Sequence, residues 1–275
     1  MEPIVLFDGK LMPYSDIPAS LLERAWLYGD RLFESMVCFE GKIPFLSNHI
    51  NRLHAGVKAQ GMLWPDHWNV EFWMDEFQKL ELENARIRLL VVRAAGGYYQ
   101  ASQKGVHSLV QVSPLTAPAW SWPDRGLEMG LAADIRIPAD RIGRYKTHNA
   151  SRYVVAMEEA REQGWDDVFI QNIQNEVAEA SSSNVFCWIE NTLITPPLES
   201  GCVAGVAREI ICAFAQSQGL VVRENPLTFA MVLQSDECFL CNAVQGIRPV
   251  VRIGQRSFPS NRTQAFAEAL RAHYF

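Results

Sequence analysis

Apolar residues recur along this chain with two different periods, and the period predicts which segments are helices. Segments with apolar positions three to four residues apart are typical of amphipathic helices. Gly164 directly follows one of these segments and Gly219 lies two residues after another, and glycines at such positions favour helix ends. We predict the main helices at 46–60, 68–82, 149–163, 205–217 and 263–273, with Ser47 or Asn48 capping the first.

Shorter apolar and β-branched runs predict the strands. An Asp8-Gly9 turn joins two short strands at the start of the chain, and later strands are predicted at 32–39, 85–95, 108–113, 127–137, 167–171, 177–179, 184–189, 192–194, 237–241 and 248–253. Segment 114–126 contains three prolines and two tryptophans without periodicity, as in a linker. We predict an α/β (α+β) fold with a small N-terminal α/β domain (1–113), an interdomain linker (114–126) and a larger C-terminal domain (127–275).

Composition and charge exclude several classes of partner. A net charge of −6 leaves no basic surface typical of nucleic-acid binding. No apolar run is long enough to span a membrane, and the N-terminal residues do not resemble a secretory signal. We interpret the six cysteines as core residues in a reducing compartment and expect no metal site and a cytoplasmic location.

Two residues suggest cofactor chemistry when they are considered together. Lys146 precedes a predicted helix, and Glu179 ends a predicted strand. Each alone is typical of a protein surface. A carboxylate can, however, keep the ring nitrogen of a pyridine protonated, and a lysine Schiff base is the other half of that chemistry.

A phosphate site is also suggested. Gly201 and Gly205 precede a predicted helix, whose first turn offers free backbone N–H groups to an anion. Arg52, on the first predicted helix, carries a suitable positive charge. A pyridine ring, an aldehyde and a phosphate therefore each have a candidate partner.

A series of short motifs resembles the class IV aminotransferases, the fold-type IV enzymes that use pyridoxal 5'-phosphate (PLP). That family includes branched-chain and D-amino-acid aminotransferases and 4-amino-4-deoxychorismate lyase. The resemblance extends over nearly the whole chain. Its motifs are Tyr28-Gly29-Asp30, Leu32-Phe33-Glu34-Ser35, His49-Ile50-Asn51-Arg52-Leu53, Lys146 with Asn149, Glu179 with Ser183-Asn184, Thr195-Pro196-Pro197-Leu198, Gly205-Val206-Ala207-Arg208, Ser235-Asp236-Glu237 and Cys241-Asn242-Ala243.

The resemblance implies a D-amino-acid aminotransferase-like fold, with PLP in the cleft between two domains, and a homodimer. It implies that Lys146 forms the Schiff base and moves the proton and that Glu179 pairs with the ring nitrogen. Arg52 and the N–H groups of Val206 and Ala207 would then bind the phosphate. The other implied cofactor-binding residues are Ser183, Asn184, Gly205, Asn242 and Ala243.

Departures from the family pattern affect the phosphate and the substrate. Ala207 and Ala243 stand where many relatives have a hydroxyl, so a phosphate would depend more on backbone N–H groups and Arg52. No expected carboxylate trap is matched completely: Tyr98 and Phe33 stand where relatives carry an arginine or a tyrosine. Candidate substrate residues are Tyr28, Phe33, Arg93, Tyr98, Tyr99 and His107, and His148 is adjacent to Lys146.

The first functional hypothesis is a PLP-dependent aminotransferase that moves an amino group between an amino acid and a 2-keto acid. The alternative is 4-amino-4-deoxychorismate lyase, which makes 4-aminobenzoate and pyruvate, and Gly96-Gly97 favours it. A non-catalytic protein on the same scaffold is a third hypothesis, opposed by the presence of Lys146, Glu179 and Arg52. A nicotinamide oxidoreductase is disfavoured because no GxGxxG motif follows a predicted strand.

Overall fold

The computed structural model describes residues 4–115 and 117–275. The chain divides into two compact units. The first comprises the residues up to Pro118 together with Tyr145–Asn149, and the second comprises Ala119–Arg144 and Ala150–Phe275. No helix in the described ranges is both long and apolar enough to cross a membrane.

The first unit is built on an antiparallel sheet with the strand order β2-β1-β5-β4-β3. Single-turn 3-10 helices occur at Tyr14–Asp16 and Ala19–Leu22. The elements are β1 (Ile4–Phe7), β2 (Lys10–Pro13), α1 (Glu23–Tyr28), β3 (Arg31–Cys38), α2 (Leu46–Ala59), α3 (Val70–Gln78), β4 (Ala85–Arg93) and β5 (Val106–Pro114).

Both faces of this sheet are covered, because successive strand residues point in opposite directions. On β4, Leu89 and Val91 join a core that includes residues of α2 and α3. Leu90 and Val92 join a second core with residues of β1 and α1. This explains why β4 has a nearly continuous apolar sequence and not an alternating one.

Segment Tyr145–Asn149 belongs to the first unit because it lies along the free edge of β3. The N–H of Phe33 donates to the carbonyl of Lys146 (3.0 Å), and the N–H of His148 donates to the carbonyl of Arg31 (3.3 Å). Thr147 forms an isolated antiparallel bridge with Leu32. The sequence pattern predicts one C-terminal domain over 127–275. A short pairing of this kind has no periodicity that a sequence pattern can reveal.

The second unit contains a mixed sheet with the order β11-β10-β9-β13-β14-β6-β7-β8-β12, and β15 pairs with β14. A 3-10 turn lies at Leu198–Ser200. The elements are β6 (Leu127–Ile137), α4 (Ser151–Gln163), β7 (Asp167–Asn172), β8 (Glu176–Ala180), β9 (Asn184–Ile189), β10 (Thr192–Thr195), α5 (Val206–Ser217), β11 (Val221–Glu224), β12 (Leu227–Thr228), α6 (Phe229–Gln234), β13 (Glu237–Asn242), β14 (Gly246–Ile253), β15 (Arg256–Ser257) and α7 (Asn261–Tyr274).

The same alternation covers both faces of the second sheet. Val168 and Ile170 of β7 pack with Ala156 and Ala160 of α4, and Phe169 between them belongs to the core on the opposite face. The small side chains of α4 allow the helix to lie close to the sheet. Mixed strands and helices confirm the predicted fold class.

The predicted helices are present, but the cap predicted for the first one is wrong. Phe45, and neither Ser47 nor Asn48, occupies the N-cap of α2, with φ at +59° and no side-chain cap hydrogen bond. A bridge between Phe39 and Lys42 closes the turn that precedes this helix. A residue with positive φ redirects the chain here without the polar side chain that marks most caps.

Gly130 of β6 is a packing requirement of the second unit. A Cβ at this position would lie 1.9 Å from Cε3 of Trp165. We predict that Gly130→Ala lowers the free energy of unfolding by about 1–3 kcal/mol, because the indole has to move out of a packed site. Denaturant unfolding followed by tryptophan fluorescence measures this.

Gly105→Ala is the matched control, since its Cβ would lie 3.9 Å from the nearest atom, Cβ of Ala94. Equal effects of the two substitutions would contradict the packing argument.

Candidate active site

Lys146 lies beside the sheet edge of the first unit, where the hydrogen bond from Phe33 fixes its backbone. Its Nζ lies 4.7 Å from the ring centroid of Phe33. Burial lowers the pKa of both His49 and His148, and the positive charge of Lys146 adds to both shifts. Two separate groups of polar residues therefore surround this amine.

The first group holds Arg52 by a buried carboxylate. Nε and Nη2 of Arg52 donate to the two oxygens of Glu34, at 2.8 and 2.5 Å, and Nδ1 of His49 lies 2.7 Å from Oε2. Glu34 is only 1% exposed. Burial favours a raised pKa, but the charge of Arg52 and the hydrogen bonds with His49 and Arg52 outweigh it and lower the pKa of Glu34 to about 2.

The second group lies around the Phe33 ring. The guanidinium carbon of Arg88 is 4.6 Å from the ring centroid, and the imidazole of His148 stacks edge-on at 4.6 Å. Nη2 of Arg88 is 3.0 Å from Nε2 of His148. Burial, then the charges of Arg31, Arg88 and Lys146, lower the pKa of His148 to about 4.

Segment 93–100, which contains the substrate candidates Arg93, Tyr98 and Tyr99, is held by hydrogen bonds from a buried arginine. Nη1 of Arg24 donates to the carbonyls of Gly96, Gly97 and Tyr98, at 3.2, 3.1 and 2.7 Å. Its Nε donates to Asp30 at 2.9 Å. The loop backbone is therefore ordered by a side chain of α1.

The substrate candidates of this region have different environments. Arg93 is buried, donating to Asp30 (2.7 Å) and to the carbonyl of Gln60 (2.8 Å). The rings of Tyr28 and Tyr99 meet at 5.6 Å. Tyr98 and Tyr99 are 84% and 94% exposed, so neither is held in a pocket of the first unit.

His107 contacts Asp8 and Phe7, neither of which is a predicted site residue. Its Nδ1 lies 2.7 Å from Asp8, and its ring stacks on Phe7 at 5.7 Å. These contacts join β5 to the β1–β2 turn, and the sequence does not reveal them because Asp8 and His107 are far apart along the chain.

Glu179 of β8 is held from two sides within the second unit. The hydroxyl of Tyr153 on α4 donates to Oε1 at 2.6 Å, and the N–H of Val203 donates to Oε2 at 2.9 Å. Glu179 is 3% exposed. Burial and the adjacent Glu179 raise the pKa of Tyr153, so the phenol stays a proton donor and the carboxylate stays the acceptor.

The turn before α5 packs closely against the side chain of Asn184. Nδ2 of Asn184 donates to the carbonyl of Val203 at 2.8 Å, and a Cβ at Gly205 would lie 2.0 Å from Oδ1 of Asn184. The first intrahelical bond after this turn runs from Glu209 N–H to the Gly205 carbonyl. The N–H groups of Val206 and Ala207 therefore precede the hydrogen-bonded part of the helix, as in an anion site.

Ser183, Asn242 and Ala243 form a second edge of the same unit. Nδ2 of Asn242 donates to Oγ of Ser183 at 3.1 Å, while its Oδ1 accepts from the N–H groups of Val244 and Gln245. The carbonyl of Ala243 accepts from Trp120 Nε1 at 3.0 Å. The Asn242 side chain thus orders the turn and positions Ser183.

A cavity of about 610 Å³ lies within the second unit. Tyr153, Ser181–Ser183 and Gln245 line it, with Arg248 at one wall. Ser183 is the predicted cofactor residue that faces it.

These residues fit PLP. Glu179 is a buried carboxylate, the type of group that can keep a pyridine nitrogen protonated. The α5 turn has backbone N–H groups next to Gly205, where any larger side chain would clash with Asn184. Lys146 supplies the amine and Arg52 a cation. Within the second unit the structure brings together Glu179, Asn184 and Gly205; within the first it brings together Lys146 and Phe33.

Several polar residues around the site were not predicted from the sequence: Glu34 and His49 as partners of Arg52, Tyr153 as the partner of Glu179, and Arg31 and Arg88 around Phe33. One signal was available. Arg31 and Phe33 share a strand face by the two-residue period. The register that places Arg88 beside them is a tertiary property.

Comparison with known proteins identifies the family. A model of the family described as Amino-transferase class IV matches residues 31–253. The chain belongs to the class IV aminotransferase family. This confirms the prediction of an enzyme of this family and, with it, of PLP as the cofactor.

Individual relatives have different activities. Aminodeoxychorismate lyase from Vibrio harveyi is 27% identical over 91% of this chain and 91% of its own length. A putative branched-chain-amino-acid aminotransferase from Methanocaldococcus jannaschii is 24% identical over 98% of this chain and 94% of its own. The crystal structure of branched-chain amino acid aminotransferase from Thermobaculum terrenum in its PLP form has a TM-score of 0.86, at 20% identity, with 99% and 94% of the two chains covered.

Glu34 gives a pH-dependent prediction. Its folded pKa of about 2 lies below the ordinary value of 4.5, so its stabilisation is complete above pH 4.5 and is lost as the pH falls towards 2. At neutral pH, Glu34→Gln should lower the free energy of unfolding by about 3 kcal/mol, and the difference from wild type should shrink through that window. Denaturant unfolding at a series of pH values measures both.

Glu83→Gln, at an exposed position, should match the wild type throughout. A wild-type advantage over Glu34→Gln that stays constant from pH 5 to pH 2 would contradict the assignment.

Proposed function

We propose that this chain is a PLP-dependent aminotransferase that moves an amino group from an amino acid to a 2-keto acid. The observation that carries the proposal is the buried Glu179, held by Tyr153 and Val203 next to the glycine turn of α5. A buried carboxylate with such donors is suited to a cationic ring. Family membership and aminotransferases among the relatives support the same reaction.

We further propose which residues of the chain bind PLP. Arg52, the N–H groups of Val206 and Ala207, Asn242 and Ala243 would bind the phosphate, with Ser183, Asn184 and Gly205 shaping the site. Bound PLP supplies an aldehyde that condenses with amines and a ring that withdraws electrons when it is protonated. A homodimer and a cytoplasmic location belong to the same proposal.

Each catalytic residue then has a task defined by its own chemistry. Glu179 would keep the ring nitrogen of bound PLP protonated, while Tyr153 holds the carboxylate in place. Lys146 takes the proton from the α-carbon of the amino acid. Negative charge develops at that carbon in the transition state. Interactions that stabilise this charge more strongly in the transition state than in the bound substrate accelerate the reaction.

A second candidate is 4-amino-4-deoxychorismate lyase, favoured by the Gly96-Gly97 pair. Both glycines have positive φ, at +103° and +78°, and a Cβ at Gly97 would lie 2.3 Å from the Gln100 carbonyl oxygen. The loop shape therefore requires both glycines. The similarity to aminodeoxychorismate lyase from Vibrio harveyi also supports this candidate. Pyruvate released from aminodeoxychorismate without a keto acid identifies the lyase; dependence on a keto acid identifies the transferase.

Lys146→Ala tests the proposal. The wild-type protein should be yellow and should keep its PLP through gel filtration, whereas Lys146→Ala should lose it. Amino transfer from a panel of L- and D-amino acids to 2-oxoglutarate should fall roughly 10²- to 10⁴-fold, because the proton acceptor is gone.

Lys58→Ala, an exposed position on α2, is the control and should keep both colour and rate. A wild-type protein that stays colourless with added PLP, or an active Lys146→Ala variant, would refute the proposed function.

A further inference from the structure

Three buried N–H groups near Lys146 lack a hydrogen-bond partner within the described residues. They are Nε of Arg31, Nε of Arg88 and Nδ1 of His148. An unsatisfied buried donor costs about 1–3 kcal/mol, more for a charged group, so three in one place indicate a partner that binds there.

The neutral imidazole of His148 carries its proton on Nδ1, so that Nδ1 is a hydrogen-bond donor. Arg88 has no acceptor atom, so its Nη2 must donate to Nε2 of His148, 3.0 Å away. With a pKa of about 4 the imidazole is neutral near pH 7, and its single proton is then on Nδ1. His148 therefore offers an N–H to an acceptor on its other side.

The strand register brings these side chains to one face of the sheet. Arg31 and Phe33 are two residues apart on β3, and Phe33 pairs with Leu90, two residues from Arg88 on β4. The carbonyl of Arg31 accepts the N–H of His148. The Phe33 ring contacts both the guanidinium of Arg88 and the amine of Lys146.

The electrostatic balance of this face is positive. The charged groups that act on His148 are Arg31, Arg88 and Lys146, all cations, and those that act on Arg88 are Arg86 and Arg31. Burial also lowers the pKa of Arg31 and of Arg88. Arg52, in contrast, is neutralised by Glu34. An anion next to Arg31 and Arg88 would relieve this repulsion.

We propose that Arg31, Arg88 and His148 bind the carboxylate shared by the amino acid and keto acid substrates. Arginine N–H groups match the two oxygens of a carboxylate, and the neutral His148 adds a third donor. This inference rests on the proposed function, because Lys146, against the same Phe33 ring, is taken as the group that acts on the adjacent α-carbon. Arg93 and His107, the candidates from the sequence, are already paired with Asp30 and Asp8.

Arg31→Met and Arg88→Met test the assignment with little change in side-chain volume. For each, KM for the amino acid and for the keto acid should rise roughly 10- to 100-fold, as for the loss of a charged hydrogen bond. The first half-reaction with benzylamine, an amine without a carboxylate, should proceed at the wild-type rate. Lys10→Met, at an exposed position on β2, should leave both unchanged.

If both arginine variants stay yellow, they still bind PLP, so a change in KM then tests the carboxylate assignment and not the proposed function. Unchanged KM in both yellow variants would overturn the inference, as would an equal loss with benzylamine, which would indicate an effect on Lys146. Loss of PLP from both variants would overturn it too, because the cluster would then serve the cofactor phosphate.

A measurement on the wild type remains decisive if the variants fold poorly. Propionate, which has a carboxylate but no amine, should inhibit competitively against the amino acid, and propionamide should not. Equal inhibition by the two compounds, or none by propionate, would overturn the assignment.

Discussion

The pairing of Tyr145–Asn149 with the free edge of β3 is the interaction on which the site of the first unit depends. It places Lys146 beside a strand whose residues point alternately to two faces. Glu34 points to α2 and holds Arg52 and His49. Arg31 and Phe33 point the other way, towards Arg88 and His148. One edge contact thus gives the lysine two chemically different neighbourhoods.

Charge is distributed unequally between these neighbourhoods. The Glu34 carboxylate compensates Arg52, and the pKa of Glu34 is lowered despite its burial because Arg52 and His49 both stabilise the carboxylate. The Phe33 side has cations without an acidic counterpart among the groups that act on His148. In the second unit the polarity is reversed, since Glu179 is a buried carboxylate that neutral donors hold. The first unit therefore carries a group of cations, and the second carries a buried carboxylate.

Much of this fold follows from local patterns. Helical periodicity identified α2, α4, α5 and α7, and apolar runs identified β4, β6 and β7. Lys146, Glu179 and Arg52 could be selected because a motif order surrounded them. Local patterns did not reveal the β3 edge pairing, the register of β3 against β4 or the tie between Tyr153 and Glu179, because each joins residues distant in sequence. The proposed carboxylate-binding residues Arg31, Arg88 and His148 were missed for that reason. Without the register, nothing distinguishes Arg88 from any other arginine on a strand.

Reduction with borohydride followed by peptide mapping tests the central claim most directly. Borohydride converts a lysine-bound PLP into a stable adduct on the residue that carried it. We expect one modified peptide, with the added mass on Lys146. An adduct on another lysine, or no adduct in a protein that is yellow and active, would contradict it.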